Sequence, residues 1–427
     1  MKRAERIVLL GIVVAVAIAL RWGFVATAFV PNPLRADAGE YARYAHNLVA
    51  HGTYSLSTAE APPPDSFRSP GYPLLLAACR AAAGEAHWLS LVIALQVVFG
   101  AATVLLTFLL ASRLLPFAAA VGAAALVALS PHLVVSSAYV LTECFTTFVL
   151  TLALWLLAAA PERSAPRHAL AALLLGFAVL CNEVLVFVPV VLALPLVRRS
   201  GWRVASVYVG IALLPMLAWG VRNQTQDLAR RGSERVVASI SHGSYPGMVY
   251  DDPRHFGFPY RDDPEQPAFG SSWHDLRRVL VPRVEAEPLR YLSWYALQKP
   301  VWLWSWNLVQ GNGVLVYDVS NNPYDRQAVV AASGWCMRQL HLPLMLLGAL
   351  AAVWAARNRR GGAGFLAQAL GLVAVFGTLA YLPVIPDPRY LQPFRPAIFV
   401  LAAVAAHRCV LWAVARRPVA APVSSPV

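Results

Sequence analysis

The feature that most limits what this chain can fold into is a series of long apolar stretches, uninterrupted rather than alternating, spread from its first residues to near its last. A bilayer core takes about 20 helical residues to cross, and only helices or closed barrels satisfy the backbone polar groups inside it. Barrel strands would alternate apolar and polar residues; these runs do not, so they are read as helices. Ten spans are expected, near residues 7–30, 88–111, 116–135, 138–160, 168–182, 184–197, 203–220, 341–356, 364–385 and 390–410, the fifth and sixth being short. Composition agrees, since 58% of the 427 residues are hydrophobic and 13% charged, against roughly a quarter charged in soluble domains. Mean hydropathy is +0.55. The expected fold class is an all-α polytopic membrane protein, one domain with interfacial helices in its outer loops.

Basic residues fall in short clusters between the runs: Lys2, Arg3 and Arg6; Arg113; Arg163 and Arg167; Arg198, Arg199 and Arg203; Arg357, Arg359 and Arg360; Arg416 and Arg417. Lys and Arg in short loops mark the cytoplasmic face. With ten spans every cluster falls on that one face, whereas removing a span would divide them, so both termini are expected in the cytoplasm. These topology signals account for the net charge of +13, and nucleic acid is not an expected partner. The stretch 1–30 has a basic start, an apolar middle and Ala26-Thr27-Ala28, which resembles a signal-peptidase site; its length and Arg21 favour a retained anchor. Cys79, Cys144, Cys181, Cys336 and Cys409 form no CxxC pair, and a disulfide or zinc framework is not expected. The non-cytoplasmic face receives two large segments, 31–87 and 221–340, and short turns near 131–137, 182–184 and 386–389. In the second segment, 241–275 is dense in turn-forming residues, while 276–306 reads as helical, with Trp294, Trp302, Trp304 and Trp306 suited to an interfacial belt.

Chemistry-bearing residues gather on that face. Tyr41, Tyr44, Ala45 and Leu48 follow the spacing of one helix face, which predicts a short helix after the first span with Asp37 at its start. Asp37 and Glu40 fit a helix cap and capping-box pair; a carboxylate facing a cavity is compatible with that. Glu143 enters the fourth span within Leu141-Thr142-Glu143-Cys144-Phe145. An ionisable group there is costly unless it faces protein or water, and so marks a site or a residue snorkelling to the interface. Glu183, in the turn after the fifth span, is a weaker acidic candidate. The basic candidates Arg68, Arg222, Lys299 and Arg389 all lie near the interface. Arginine there suits bidentate phosphate contacts or nonspecific headgroup contact. His242, His255 and His274 with Asp251, Asp252, Asp262 and Asp263 match no metal-ligand spacing, so no metal site is assigned and a divalent ion is unsupported. There is no phosphate-binding Gly loop, GxSxG or HExxH motif.

Several of these motifs together resemble a family. Asp37 four residues before Tyr41, the following Ala-x-Asn-Leu with Gly52 and Tyr54, and then FRSPGYPLLLA resemble the first outer loop of polyprenol-dependent GT-C glycosyltransferases. Within that family the chain resembles the bacterial relatives of the protein O-mannosyltransferases and the lipid A aminoarabinose transferase. The acid in LTECF, Arg222-Asn223 leading into VVASISHGSYPG, the stretch EPLRYLSWYALQKPVWLW and PRYLQPFRP extend the resemblance across the chain. It implies a GT-C bundle in the cytoplasmic (inner) membrane with its active site outside. It also implies transfer of a sugar from a polyprenyl-phosphate donor to a lipid, glycan or protein acceptor. By resemblance Asp37 is the catalytic base, Glu143 the second acid, and Arg68, Arg222 and Arg389 bind the donor phosphate. Glu40, Tyr41, Tyr72, Glu183, Lys299 and Tyr390 are further candidates for contacting substrate. Where many relatives read Leu-Thr-Arg-Pro after the fifth span, this chain has Leu180-Cys181-Asn182-Glu183, which puts a basic role there in doubt. Transporters or flippases and oligosaccharide polymerases or ligases are the alternatives; the first lacks support from paired repeats, the second from the acid after the first span.

Overall fold

A computed structural model describes residues 2–162, 164–247, 259–308, 313–357 and 362–415. Of the residues named above, Arg163, Asp251, Asp252, His255, Arg359, Arg360, Arg416 and Arg417 lie outside the described residues.

The described chain is helical, in chain order α1 (Arg3–Thr27), α2 (Asp37–His51), α3 (Gly71–Ala111), α4 (Phe117–Leu129), α5 (Pro131–Val135) and α6 (Thr142–Ala159). Then come α7 (Ala165–Cys181), α8 (Phe187–Ser200), α9 (Trp202–Thr225), α10 (Gly232–Gly243), α11 (Trp273–Ala286) and α12 (Pro288–Ser293). The last are α13 (Lys299–Leu303), α14 (Pro323–Arg326), α15 (Ala328–Arg357), α16 (Gly362–Tyr381) and α17 (Arg395–Ala415). Each of the ten expected spans falls on helix. Among the described residues, seven helices are long and apolar enough to cross a membrane alone, and α4 with the segment 131–138, bent by 55°, makes an eighth if that pair is one span. The two expected as short, α7 and α8, are short in the structure.

Boundaries differ where helix continues beyond the apolar run. The second span lies in α3, which starts at Gly71 and turns through a non-helical Gly84 (φ 69°, ψ 175°), so the expected start near 88 marks the helix after that break. The eighth extends back to Ala328. The third is broken because Pro131 has no N–H to give the Val127 carbonyl four residues earlier. Arg21 of α1 supplies the missing donors, Nη2 to Val127 O at 3.2 Å and Nη1 to Ala128 O at 3.3 Å. Gly100 of α3 leaves room for it, since a Cβ there would sit 2.4 Å from Arg21 Nε.

At one end of the bundle the segments between spans pack down on the helices. Phe29 and Ser320 exchange backbone hydrogen bonds of 2.9 and 2.8 Å, and Trp294 is fully buried, its Nε1 donating to Gly243 O at 3.1 Å. Trp294 therefore does not belong to an interfacial belt. It begins a π-helical turn, Trp294–Gln298, a short underwound stretch with i→i+5 bonds.

Candidate active site

The helix predicted after the first span is α2, and its Tyr44 and Ala45 are fully buried. Asp37 is its first residue, but its side chain does not cap the helix: Ala36 holds the cap position and no side chain bonds the first-turn N–H groups. The Asp37 carboxylate is committed elsewhere, accepting from Arg68 Nη2 at 2.7 Å through Oδ1 and from Arg389 Nη2 at 2.7 Å through Oδ2. Glu40 likewise makes an ion pair with Arg68 Nε instead of a capping box. Charge-assisted bonds to two guanidiniums outweigh one bond to a backbone amide. The backbone that aims Asp37 is unusual, because Ala36 takes φ 49° and ψ −128°, a region L-residues avoid. It is held in place by Tyr317, whose hydroxyl donates to Arg35 O at 3.2 Å.

Arg389 reaches Asp37 across 352 positions of sequence. It follows Asp387, whose Oδ1 accepts from the Arg389 backbone N–H at 3.0 Å and whose Oδ2 lies 3.3 Å from Arg389 Nε. Glu143 is the second residue of α6, at the start of the fourth span. Its Oε1 lies 3.9 Å from Arg389 Nε, and its Oε2 is buried with no hydrogen-bond partner. Glu183 accepts from Ser69 Oγ and pairs with Arg235 Nη2, while Arg235 Nε donates to Phe67 O at 3.1 Å. Burial alone would raise the Asp37 carboxyl, but the charges and hydrogen bonds of Arg389 and Arg68 outweigh it and hold the group well below the usual carboxylate range.

These groups line two adjoining cavities. The first, about 110 Å³, is bounded by Tyr41, Glu143, Asn182, Glu183 and Tyr381. The second, about 400 Å³, is bounded by Phe67, His242, Tyr260, Tyr317 and Asp387. Asp37, Arg68, Arg235, Arg389 and Tyr390 line both, so the Asp37 carboxylate sits on the boundary. Tyr72 lies behind the first cavity, edge-on to Tyr41 at 5.4 Å, its hydroxyl donating to Gln96 Oε1 at 3.1 Å.

Two of the basic candidates are not in either cavity. Lys299 is fully buried and donates to Leu382 O at 2.5 Å and Val384 O at 2.9 Å, so its ammonium is spent on backbone that leads into the site. Burial pushes its pKa down to about 7. Arg222 donates to Asp65 O at 2.8 Å and lines a separate pocket. The cation that the segment after α9 does bring to the cavities is Arg235 of α10. Sequence reasoning missed it together with Asp387, Ser69, Asn182 and Tyr381; the Asn182-Glu183 departure was the available signal, because Glu183 is what Arg235 pairs with.

Among the described residues, no group of three or more His, Cys, Asp or Glu is placed to hold a metal ion. Of the loop residues considered earlier, Asp263 is paired with Arg283 at 2.7 Å, His274 lies 3.7 Å from Asp275, and His242 stacks on Tyr260 at 3.8 Å.

No protein-family model matches the chain, and no curated protein matches it in sequence. Solved structures do match. ArnT from Cupriavidus metallidurans bound to undecaprenyl phosphate aligns with a TM-score of 0.50 at 16% identity, over 95% of this chain and 61% of that one. The Archaeoglobus fulgidus oligosaccharyltransferase tethered with an acceptor peptide aligns with a TM-score of 0.53 at 16% identity, over 95% and 50%. The chain thus spans between half and two thirds of the length of these structures. At such identities the likeness is one of architecture, and by that architecture the chain is an all-α, multi-pass membrane protein with the GT-C fold.

Proposed function

We propose that the protein is a membrane glycosyltransferase that moves a sugar, with inversion, from a polyprenyl-phosphate donor to an acceptor hydroxyl on the non-cytoplasmic face of the inner membrane. Both termini lie in the cytoplasm in this reading. The observation that carries it is the Asp37 carboxylate, held by Arg68 and Arg389 on the boundary of two cavities. The solved structures of like fold support it, one being bound to undecaprenyl phosphate and another tethered to an acceptor peptide.

The first cavity suits one sugar ring, with Glu143, Asn182 and Glu183 facing its hydroxyls. The wider second cavity, walled by Phe67, Tyr260 and Tyr317, admits the acceptor. The acceptor oxygen attacks C1, the bond from C1 to the phosphate oxygen breaks, and the hydroxyl proton passes to Asp37. A carboxylate ionised this firmly is a weak base for an alcohol, so proton transfer comes late, after an oxocarbenium-like transition state has acidified the attacking oxygen. Arg68, Arg235 and Arg389 face the departing phosphate as fixed cations that need no reorganisation. Since each already has a carboxylate partner, the phosphate competes for their remaining N–H groups.

Purified protein incubated with labelled polyprenyl-phosphate sugars and membrane extract should transfer label. Asp37→Asn should lose transfer by about 10³-fold, within the usual range for a general base, with the fold and donor binding retained. Near-normal turnover in that variant would end this reading.

A further inference from the structure

Arg222, displaced from the cavities above, stands in a pocket of different character. Its volume is about 640 Å³, and among the residues that line it Arg222 is the only one with an ionisable group apart from the phenol of Tyr54. The remaining wall is apolar or uncharged, including Leu48, Leu74, Leu180, Pro215 and Trp219, and Leu74 is 43% exposed on the bundle surface. The guanidinium lies over the rings of Trp219 at 4.8 Å and Tyr54 at 5.8 Å. Its Nη1 donates to Asp65 O and Asn223 Oδ1 at 2.8 and 3.1 Å, and among the described residues it makes no ion pair with a carboxylate. The nearby Asp65 carboxylate is occupied, accepting from the Leu56 and Phe67 N–H groups at 2.7 and 3.1 Å and from the Tyr44 hydroxyl.

We infer that this pocket is a second lipid site, which takes an anionic glycerophospholipid from the bilayer. The phosphodiester sits against Arg222 and an acyl chain lies along Leu74, Leu180 and Pro215. Charge complementarity selects the occupant. A phosphodiester bears one negative charge, and this pocket offers one cation that forms no ion pair with an acid among the described residues, whereas Arg68, Arg235 and Arg389 are each paired with acids. The Trp219 and Tyr54 rings suit the boundary between headgroup and chain. No carboxylate lines the pocket, so a lipid held there is not in position to react. It is nevertheless adjacent to the proposed catalytic groups, because Tyr54 beneath Arg222 donates through its hydroxyl to Arg68 O at 2.9 Å.

The test is the thermal stability and lipid retention of purified full-length protein in nanodiscs of phosphatidylcholine with or without phosphatidylglycerol. Wild type should be stabilised by phosphatidylglycerol and retain it on extraction. Arg222→Gln should lower that preference about tenfold, the order expected for one charge-assisted contact, and Arg222→Lys should restore most of it. Arg68→Gln should leave it unchanged. Ala218→Trp, which fills the pocket and keeps the cation, should weaken retention even if Arg222→Gln folds poorly. Undiminished preference in both Arg222→Gln and Ala218→Trp overturns the inference. So does displacement of phosphatidylglycerol by an equimolar polyprenyl phosphate, which would make the pocket part of the donor site. Because the readout is lipid binding, failure of the proposed transfer reaction would leave this result standing.

Discussion

Arg389 and Arg21 are two arginines held inside the same helical bundle, with opposite surroundings. Arg389 faces carboxylates, with Asp37 at 2.7 Å, Asp387 at 3.3 Å and Glu143 at 3.9 Å, around cavities a ligand can enter. Arg21 faces backbone carbonyls, those of Ala17, Val127 and Ala128, and stitches a proline-broken span. Both satisfy the demand that an intramembrane cation find polar partners. The difference is that carbonyls at a helix end are an internal, fixed demand, whereas carboxylates set around a cavity leave room for a substrate to join the network. Lys299, with its two carbonyl partners, belongs with Arg21.

Variants can break or sharpen this division. Arg389→Gln should lower transfer per folded molecule about 10²-fold or more, with a lower melting temperature because Asp37, Asp387 and Glu143 lose their shared cation. It should also shift the acid side of the pH–rate profile upward, since losing the Arg389 charge lets the Asp37 carboxyl rise towards its ordinary value. A variant that unfolds instead would move Arg389 into the structural class.

Arg21→Met should lower stability alone. Leaving the Val127 and Ala128 carbonyls without donors costs about 1–3 kcal/mol, read as a lower melting temperature, while turnover per folded molecule is preserved. A selective loss of turnover would contradict the assignment.

A smaller effect, dependent on pH, is expected at Lys299. Its folded pKa, about 7, lies below the ordinary 10.5, so the unfolded chain binds more protons between those values and wild-type stability rises with pH across that window. Compared with Lys299→Met, which lacks the group, wild type should gain stability from pH 7 to pH 9, measured by thermal unfolding of both proteins at each pH. A constant difference would show that the ammonium stays charged there.

Ala36→Gly should have the smallest effect. Glycine reaches φ 49° without a Cβ penalty, so the variant should be equal to wild type or slightly more stable by thermal unfolding. Turnover should fall a few-fold if the strained residue helps to hold Asp37 in place.

How much of this was legible beforehand follows from the range of each signal. The spans were readable because hydropathy is local: a run of apolar residues needs no knowledge of its neighbours to be assigned to a bilayer. Boundaries slipped where structure continued past the run, as at Gly71–Ala111 and Ala328–Arg357. Asp37 and Glu40 read as a cap because spacing alone cannot see Arg68, which lies 31 and 28 residues away. Arg222 stood out for its place next to Asn223 at the end of a span, yet it is Arg235, one helix on and not among the candidates, that pairs with Glu183.

By itself, then, the sequence determined that this chain lives in a membrane as a bundle of helices, with acids and arginines gathered in the segments between them. It also marked Asp37 as the acid to follow. Only the tertiary structure decided which charges meet. Arg389 joins Asp37 across 352 positions and Arg235 joins Glu183 across 52, while Lys299 is drawn onto carbonyls and Arg222 into a pocket of its own. The physical reason is that an ion pair depends on distance through space and on the burial around it, and neither quantity is written in the order of residues along the chain.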